Sequence, residues 1–468
     1  MPPQNNREPA ESSVTAKEEQ PREGVMYNVR VADAGTTAVE ENRIFQKTFW
    51  RIVPLLVAGY CVAFLDRVNI GFTQLQMGAA VGINPAQFGF AAGIFFLTYA
   101  LLELPSNLLF QRIGARKTFL RIMFLWGLVV IATAWVTSAT QFYILRLLLG
   151  AFEAGFFPGV VLYLTWWFPS AQRGRVTAVI FLALPLGGTI VGPLTGAIMS
   201  GLDGALGLQG WQWVFIVQGI PACLLGVMCY LYLHESPRTA PWLTDAEKAH
   251  LLEQLRQDEE RAPAKSGHPV GSTLKDPVAY LLSFLYFVPT CGFYLFNFWL
   301  PTLIRESGVS QIMNIGLLST IPMLCGIAGL LAMNFSSDLF KERRWHLVAC
   351  FLLAAAGLLM AAWLKGSTYS LLVSLCVANI GLTALGPLFW TLPPTYFGRA
   401  AAATGIALVS TIGITAGFVS PSVLGYIKAQ TGDLTLGIYG IAVLLLVCVP
   451  LLIWAVPERA MRVGGKPA

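Results

Sequence analysis

From Ile52 onward, apolar runs alternate with short polar breaks, and each run is about 20 residues long, the length of helix that crosses a hydrocarbon core. Six runs lie at 52–75, 88–111, 119–137, 141–166, 175–200 and 212–233, and six more at 278–300, 312–335, 346–364, 370–393, 400–427 and 434–456. The pattern predicts an all-α polytopic membrane protein with twelve transmembrane helices in two six-helix halves, 52–233 and 278–456. A single long polar segment, 234–277, separates them. Within it, Thr244 followed three residues later by Glu247 is a capping pair, and the stretch after it reads as a short amphipathic helix. Residues 1–51 mix both charge signs without an apolar period and are expected to be a disordered tail; 457–468 is a second tail.

Composition narrows the class. Hydrophobic residues make up 55% of the 468 and charged residues 12%, about half the charged share of a soluble domain. That excludes soluble globular, disordered and coiled-coil classes. The net charge of +6 is dispersed among short loops, so no nucleic-acid partner is implied. All eight cysteines fall inside apolar runs with no CxxC pair, as packing residues do. No apolar h-region follows the N-terminus, so no cleavable signal peptide is expected. Walker, GxSxG, HExxH and dinucleotide motifs are absent from the chain. Neither an enzyme nor a nucleotide-driven pump is expected, and no catalytic residue, cofactor or metal.

Loop charges give an orientation. Arg112, Arg116, Lys117, Arg121, Arg173, Arg175, Lys341, Arg343, Arg344 and Arg399 follow the even-numbered spans, against Arg305, Lys365 and Lys428 after the odd ones. Positive charge stays on the cytoplasmic side. Both termini and the 234–277 loop are therefore expected in the cytoplasm of a multi-pass protein of the inner (plasma) membrane.

An ionisable group inside a span costs about 2.5–3.5 kcal/mol on insertion scales and marks a functional or structural pair. The spans hold Asp66, Arg67, Glu103, Arg146 and Glu153, all in the first half. Arg146 and Glu153 are seven apart, two turns along one face of span 4. Asp66, Asn69 and Thr73 share a face of span 1, and Tyr99 stacks with Glu103 on span 2. Asp66 beside Arg67, and Glu153 beside Arg146, are the expected pairings, each a carboxylate tuned to load and release a proton. None of the four histidines lies well inside a span, so a proton-coupled carrier built this way must use these acids. Arg67 is the candidate to bind a substrate carboxylate, its planar fork matching both oxygens, and in the second half Tyr294, Asn297 and Trp390 are candidates to line a central site.

An internal repeat relates the halves. Asn107 precedes the basic pair Arg116–Lys117 after span 2 as Asn334 precedes Arg343–Arg344 after span 8. Two related six-span halves are the architecture of major-facilitator transporters. The segments Phe64-Leu-Asp66-Arg67-Val-Asn69-Ile-Gly71-Phe72, Arg146-LLL-Gly150-AF-Glu153-Ala-Gly155-FF-Pro158-Gly159 and Leu104-Pro105-Ser106-Asn107-LLFQ-Arg112-I-Gly114-A-Arg116-Lys117 resemble the signatures of the anion:cation symporter family within that superfamily. The resemblance covers about residues 45–460 and implies a monomeric carrier that moves a small organic anion with protons through the lipid bilayer. It implies that Asp66 and Glu153 are the proton-coupling acids, that Arg67 and Arg146 set their protonation, and that Tyr99 and Trp390 lie beside substrate. The gating loop corresponds to Asn107, Arg112, Gly114 and Arg116, with Asp338 and Arg343 in the second copy. It departs from the superfamily pattern at Asn107, where Gly is usual, and at Gln111, where Asp is usual. The resemblance and the apolar span 5 together imply proton-coupled symport of a compact or aromatic carboxylate. An exporter or exchanger of organic anions is the alternative, and a transport-inactive membrane sensor is a third reading.

Overall fold

The computed structural model describes residues 23–261, 273–364 and 366–456. Among these, twelve helical spans are long and apolar enough to cross a membrane: Glu40–Val81, Pro85–Ile113, Ala115–Trp135, Ala139–Thr165, Ser170–Gly201, Gly210–Tyr232, Pro277–Glu306, Ile312–Phe340, Arg344–Trp363, Thr368–Phe397, Thr404–Thr431 and Thr435–Trp454, spans 1 to 12. The described residues divide into two compact units, 23–48 and the residues from 49 onward. The chain is helical from Glu23 to Val68, so the tail expected over 1–51 is not irregular throughout. No proline interrupts the sequence between Pro21 and Pro54, and the charged residues there are good helix formers. Residues 1–22 and 457–468 of the two expected tails, and 262–272 of the central loop, lie outside the described residues.

The halves pack on one plan. Span 2 packs on span 4 and span 3 on span 6; in the second half span 8 packs on span 10 and span 9 on span 12. Across the halves, span 2 meets span 11 and span 5 meets span 8. Shifting every number by six converts one contact set into the other, so the two halves are related as the repeat after spans 2 and 8 implies.

Glycine sets how closely these helices cross, because only an absent side chain lets backbones touch. A Cβ on Gly192 of span 5 would lie 2.5 Å from the carbonyl oxygen of Gly316 on span 8, and one on Gly93 of span 2 would lie 2.7 Å from that of Phe418 on span 11. Gly71 of span 1 approaches Phe298 of span 7 in the same way, at 2.9 Å. These contacts sit at the end of the bundle remote from the central loop. Arg305 adds a hydrogen bond there from span 7 to the carbonyl of Leu75, at 2.6 Å. The far end is where the halves are sealed.

The central loop supports the first half. Its helix, Asp245–Arg261, opens with the expected capping pair: the Thr244 hydroxyl accepts from Glu247 N–H at 3.3 Å, and the Glu247 carboxylate accepts from Thr244 N–H at 2.9 Å. Just before it, Trp242 stacks on Trp167 of the loop after span 4, with ring centroids 5.5 Å apart.

Candidate functional site

Asp66 and Arg67 are neighbours, and adjacent helical residues project about 100° apart. They consequently face different helices. Asp66, 1% exposed, turns to span 3, where Trp126 Nε1 donates to its Oδ2 at 3.0 Å. Arg67 turns to span 4 and forms an ion pair with Glu153. Its guanidinium lies over the rings of Phe95, at 5.1 Å, and Tyr99, at 5.3 Å, where a cation meets the negative ring face. Arg146, fully buried, also sits over Phe95 at 5.1 Å and donates its Nε to the carbonyl of Ala91 at 3.3 Å.

The pairings therefore differ from those the spacing predicts. Glu153 is bonded to Arg67 rather than Arg146, and Asp66 is bonded to Trp126 rather than Arg67. Two helical turns separate residues 146 and 153 by about 10.5 Å of rise, more than an ion pair spans without both side chains bending along the axis. Span 1 meanwhile brings Arg67 directly beside Glu153.

A break in span 4 presents Glu153. The helix Ala139–Glu153 ends there, and Phe156–Thr165 resumes after Ala154 and Gly155. Pro158 has no N–H for the Ala154 carbonyl, so the ladder fails at this step. Gly155 takes a φ of +86°, and a Cβ there would lie 2.5 Å from the Ser106 hydroxyl. Position 155 thus requires glycine on both counts. Several polar atoms at the site have no hydrogen-bond partner among the described residues: Asp66 Oδ1, Arg67 Nε, Arg146 Nη2 and Glu153 Oε2.

Aromatic rings from both halves surround Arg67. Tyr60 stacks on Phe157 at 5.1 Å, Tyr294 meets Phe96 at 4.7 Å, and Tyr286 meets Trp390 at 4.8 Å. Tyr60 and Tyr294 interact electrostatically with the Arg67 guanidinium, and Tyr286 with Tyr60 and Tyr294. The structure thus brings Arg67, Tyr99, Glu153 and Tyr294 together and places Trp390 beside them through Tyr286. Asn297 stands differently: its amide donates to the Phe293 carbonyl of its own helix at 2.7 Å, and the residue lines a small cavity with Val68, Phe72, Ser319 and Met323.

Sequence reasoning misses Tyr60, Tyr286, Trp126, Gln218 and Thr195. Asn69 of span 1 donates to Gln218 of span 6 at 2.9 Å, and Gln218 donates to Thr195 of span 5 at 3.1 Å. An amide well inside the apolar run of span 6, beyond Gln212 at its start, is the available signal for Gln218. The aromatic residues carry none, since packing rings look the same.

The loop motif has its own geometry. Asn107 donates to the Glu103 carbonyl of its own helix at 3.0 Å. Gly114 takes a φ of +86°, and the Glu235 carboxylate beyond span 6 accepts from Ala115 N–H at 2.7 Å and Arg116 N–H at 3.2 Å, capping span 3. Arg116 donates to the Tyr230 carbonyl at 2.8 Å. Arg112 follows at the end of span 2. In the second copy Asp338 and Arg343 are 3.8 Å apart.

Two structurally repeated six-helix halves, sealed at one end over a buried ion pair, define a membrane transporter. The profile of the Major Facilitator Superfamily matches residues 56–421, and the chain belongs to that superfamily of transporters, not to an enzyme family. Curated relatives include a protein of Agrobacterium vitis named as a proposed tartrate transporter, 40% identical over 92% of this chain and 98% of its own length. The quinolone resistance transporter of Acinetobacter baumannii is 39% identical over 87% of this chain and 93% of its own length. The inner membrane transport protein RhmT of Escherichia coli K12 is 34% identical over 84% and 89%. Among solved structures, the D-xylose-proton symporter shares the fold with a TM-score of 0.72 at 17% identity, over 89% of this chain and all of that one.

Proposed function

We propose that this chain is a proton-coupled symporter that carries a small organic carboxylate, compact or aromatic, into the cell by alternating access. The observation that carries the reading is the Arg67–Glu153 pair, in which Glu153 is 1% exposed and the Arg67 side chain 17%. A carboxylate arriving at Arg67 competes with Glu153 for the same guanidinium, whose planar fork suits either. Glu153, released in an apolar bundle, is costly as an anion and is relieved by taking a proton. Anion and proton loading are thereby linked. The ring faces of Tyr60, Phe157, Tyr286, Tyr294 and Trp390 favour a flat or compact acid over a polyhydroxylated one, which would need more donors and acceptors.

Orientation follows from the loop charges. With both termini and the central loop in the cytoplasm of the inner membrane, the sealed end faces outward. RhmT, named an inner membrane protein, supports the location. A maleimide that cannot cross the membrane should fail to label a cysteine replacing the exposed Glu259 in intact cells; labelling there would invert the orientation.

The function is tested in proteoliposomes with an imposed pH gradient, using tartrate and phthalate as probes. The parent protein accumulates at least one of them uphill, and Glu153→Gln abolishes accumulation while exchange of pre-loaded probe persists. Uphill uptake by the variant would overturn the proton assignment. A second reading, export or exchange of an aromatic carboxylate, is favoured by the relative named for quinolone resistance; net efflux driven by an inward proton gradient would establish it instead.

A further inference from the structure

Asp66 accepts one hydrogen bond among the described residues, from the indole of Trp126. Trp126 is wholly buried, and its ring meets Phe156 edge-on with centroids 5.3 Å apart. Phe156 is the first helical residue after the break in span 4, three positions beyond Glu153. One side chain therefore touches both the carboxylate of span 1 and the hinge that presents Glu153.

We propose that Trp126 is a positioning residue for proton coupling: its N–H favours the carboxylate form of Asp66, and its ring passes the protonation of Asp66 to the broken segment of span 4. The assignment rests on the proton-symport reading above. The other titratable or charged groups facing Asp66 are Glu153 and Arg146 of span 4 and Cys223 of span 6, with Arg67 adjacent in span 1. None of them bonds to it directly. Arg67 is engaged by Glu153, and Arg146 by the Ala91 carbonyl and the Phe95 ring. The indole is a donor only, and a hydrogen bond to a carboxylate is about twice as strong as one to a neutral acceptor. Protonation of Asp66 weakens the bond and frees the indole to move against Phe156.

The test separates the donor from the ring. Trp126→Phe keeps a ring against Phe156 and removes the N–H; Trp126→Gln keeps an N–H donor and removes the ring. In proteoliposomes, the pH midpoint of tartrate or phthalate transport should move about one unit alkaline in Trp126→Phe. In Trp126→Gln the midpoint should stay within a few tenths of the parent's while the maximal rate falls. A midpoint unmoved in Trp126→Phe, with the parent clearly pH-dependent, overturns the role of Trp126 and leaves proton symport standing. A parent whose transport ignores pH removes proton symport and this role together. Should Trp126→Phe fail to fold, nitrogen-15 indole resonances of the unmutated protein in nanodiscs give the answer. One indole N–H should titrate with the transport midpoint, and the absence of any such resonance overturns the proposal.

Discussion

In the first half the buried polar groups of the spans include Asp66, Arg146 and Glu153, with Arg67 beside them. In the second half they are hydroxyls and amides such as Ser283, Asn297, Ser319, Ser374, Asn379 and Ser420. Four of those hydroxyls are satisfied within the bundle, whereas Thr302 Oγ1 and Ser422 Oγ have no partner among the described residues. Ser283, Ser319 and Ser374 each donate to the carbonyl four residues back, at 2.6–2.7 Å, and Ser420 to the Cys291 carbonyl at 2.8 Å. The charged groups of the first half leave atoms unpartnered, among them one oxygen of each acid. A shared packing plan thus carries two kinds of interior: one half holds buried ionisable groups, and the other supplies a wall of rings and a sealing face. Two halves that rock around a site need only one of them to hold the ion chemistry.

The largest expected effect tests this contrast directly. Arg67→Ala strands Glu153 as a buried, unpaired acid, and breaking such a pair costs about 3–5 kcal/mol. Adding Glu153→Gln should recover most of the loss. In the second half, Asn379 donates to the Pro322 carbonyl between spans 10 and 8 at 2.8 Å, and Asn379→Ala should cost about 1 kcal/mol. Thermal unfolding in detergent gives the three values. Equal losses for Arg67→Ala and Asn379→Ala would erase the difference between the halves.

The spans are legible in the sequence because a run of twenty apolar residues has few other uses, and charges inside such runs stand out. Asp66, Arg67, Arg146 and Glu153 are conspicuous for that reason alone. Their partners are not legible. Spacing along one helix reports which residues share a face, but it says nothing of which helix lies opposite. Spacing therefore pairs Arg67 with its neighbour Asp66, and gives its true acceptor, 86 residues away, to Arg146. Trp126 is invisible for another reason. An indole in span 3 reads as packing until a carboxylate is found against its N–H. Helix replaces the irregular tail expected over 1–51 from Glu23 onward, because polar composition does not distinguish an irregular segment from a helix.

A smaller effect is expected at the seal between the halves. Gly192→Ala places a Cβ 2.5 Å from the Gly316 carbonyl oxygen, whereas a Cβ at Gly386 of span 10 meets nothing within 4 Å. Overpacking costs about 1–3 kcal/mol, and at position 192 it falls on the sealed arrangement alone. Gly192→Ala should slow transport by about tenfold, a factor equal to 1.4 kcal/mol. It should also raise maleimide labelling of a cysteine at Thr320 from the end remote from the central loop. Gly386→Ala should do neither. Matching behaviour of the two variants would show that glycine contact does not hold the far end shut.

The smallest effect concerns the central loop, which sides with the charged half. Asp258, near the end of the helix Asp245–Arg261, accepts hydrogen bonds from the backbone N–H and the hydroxyl of Ser170, the latter at 2.9 Å. Ser170 is the first residue of the helix Ser170–Phe181 in span 5, so the carboxylate meets the positive end of that helix. Removing a cap of this kind costs about 0.5–2 kcal/mol, and because the contact is exposed, salt should screen part of its charge component. Asp258→Ala should therefore lower stability by about 1 kcal/mol in dilute buffer and by less in high salt. Asp258→Asn, which keeps an acceptor for the Ser170 N–H, should lose about half as much. Neither should move the pH midpoint of transport, since the contact lies outside the site that holds Asp66 and Glu153. A displaced midpoint in Asp258→Ala would tie the loop to the pH dependence of transport, and the division between the ionisable bundle and its surroundings would then have to be redrawn to include it.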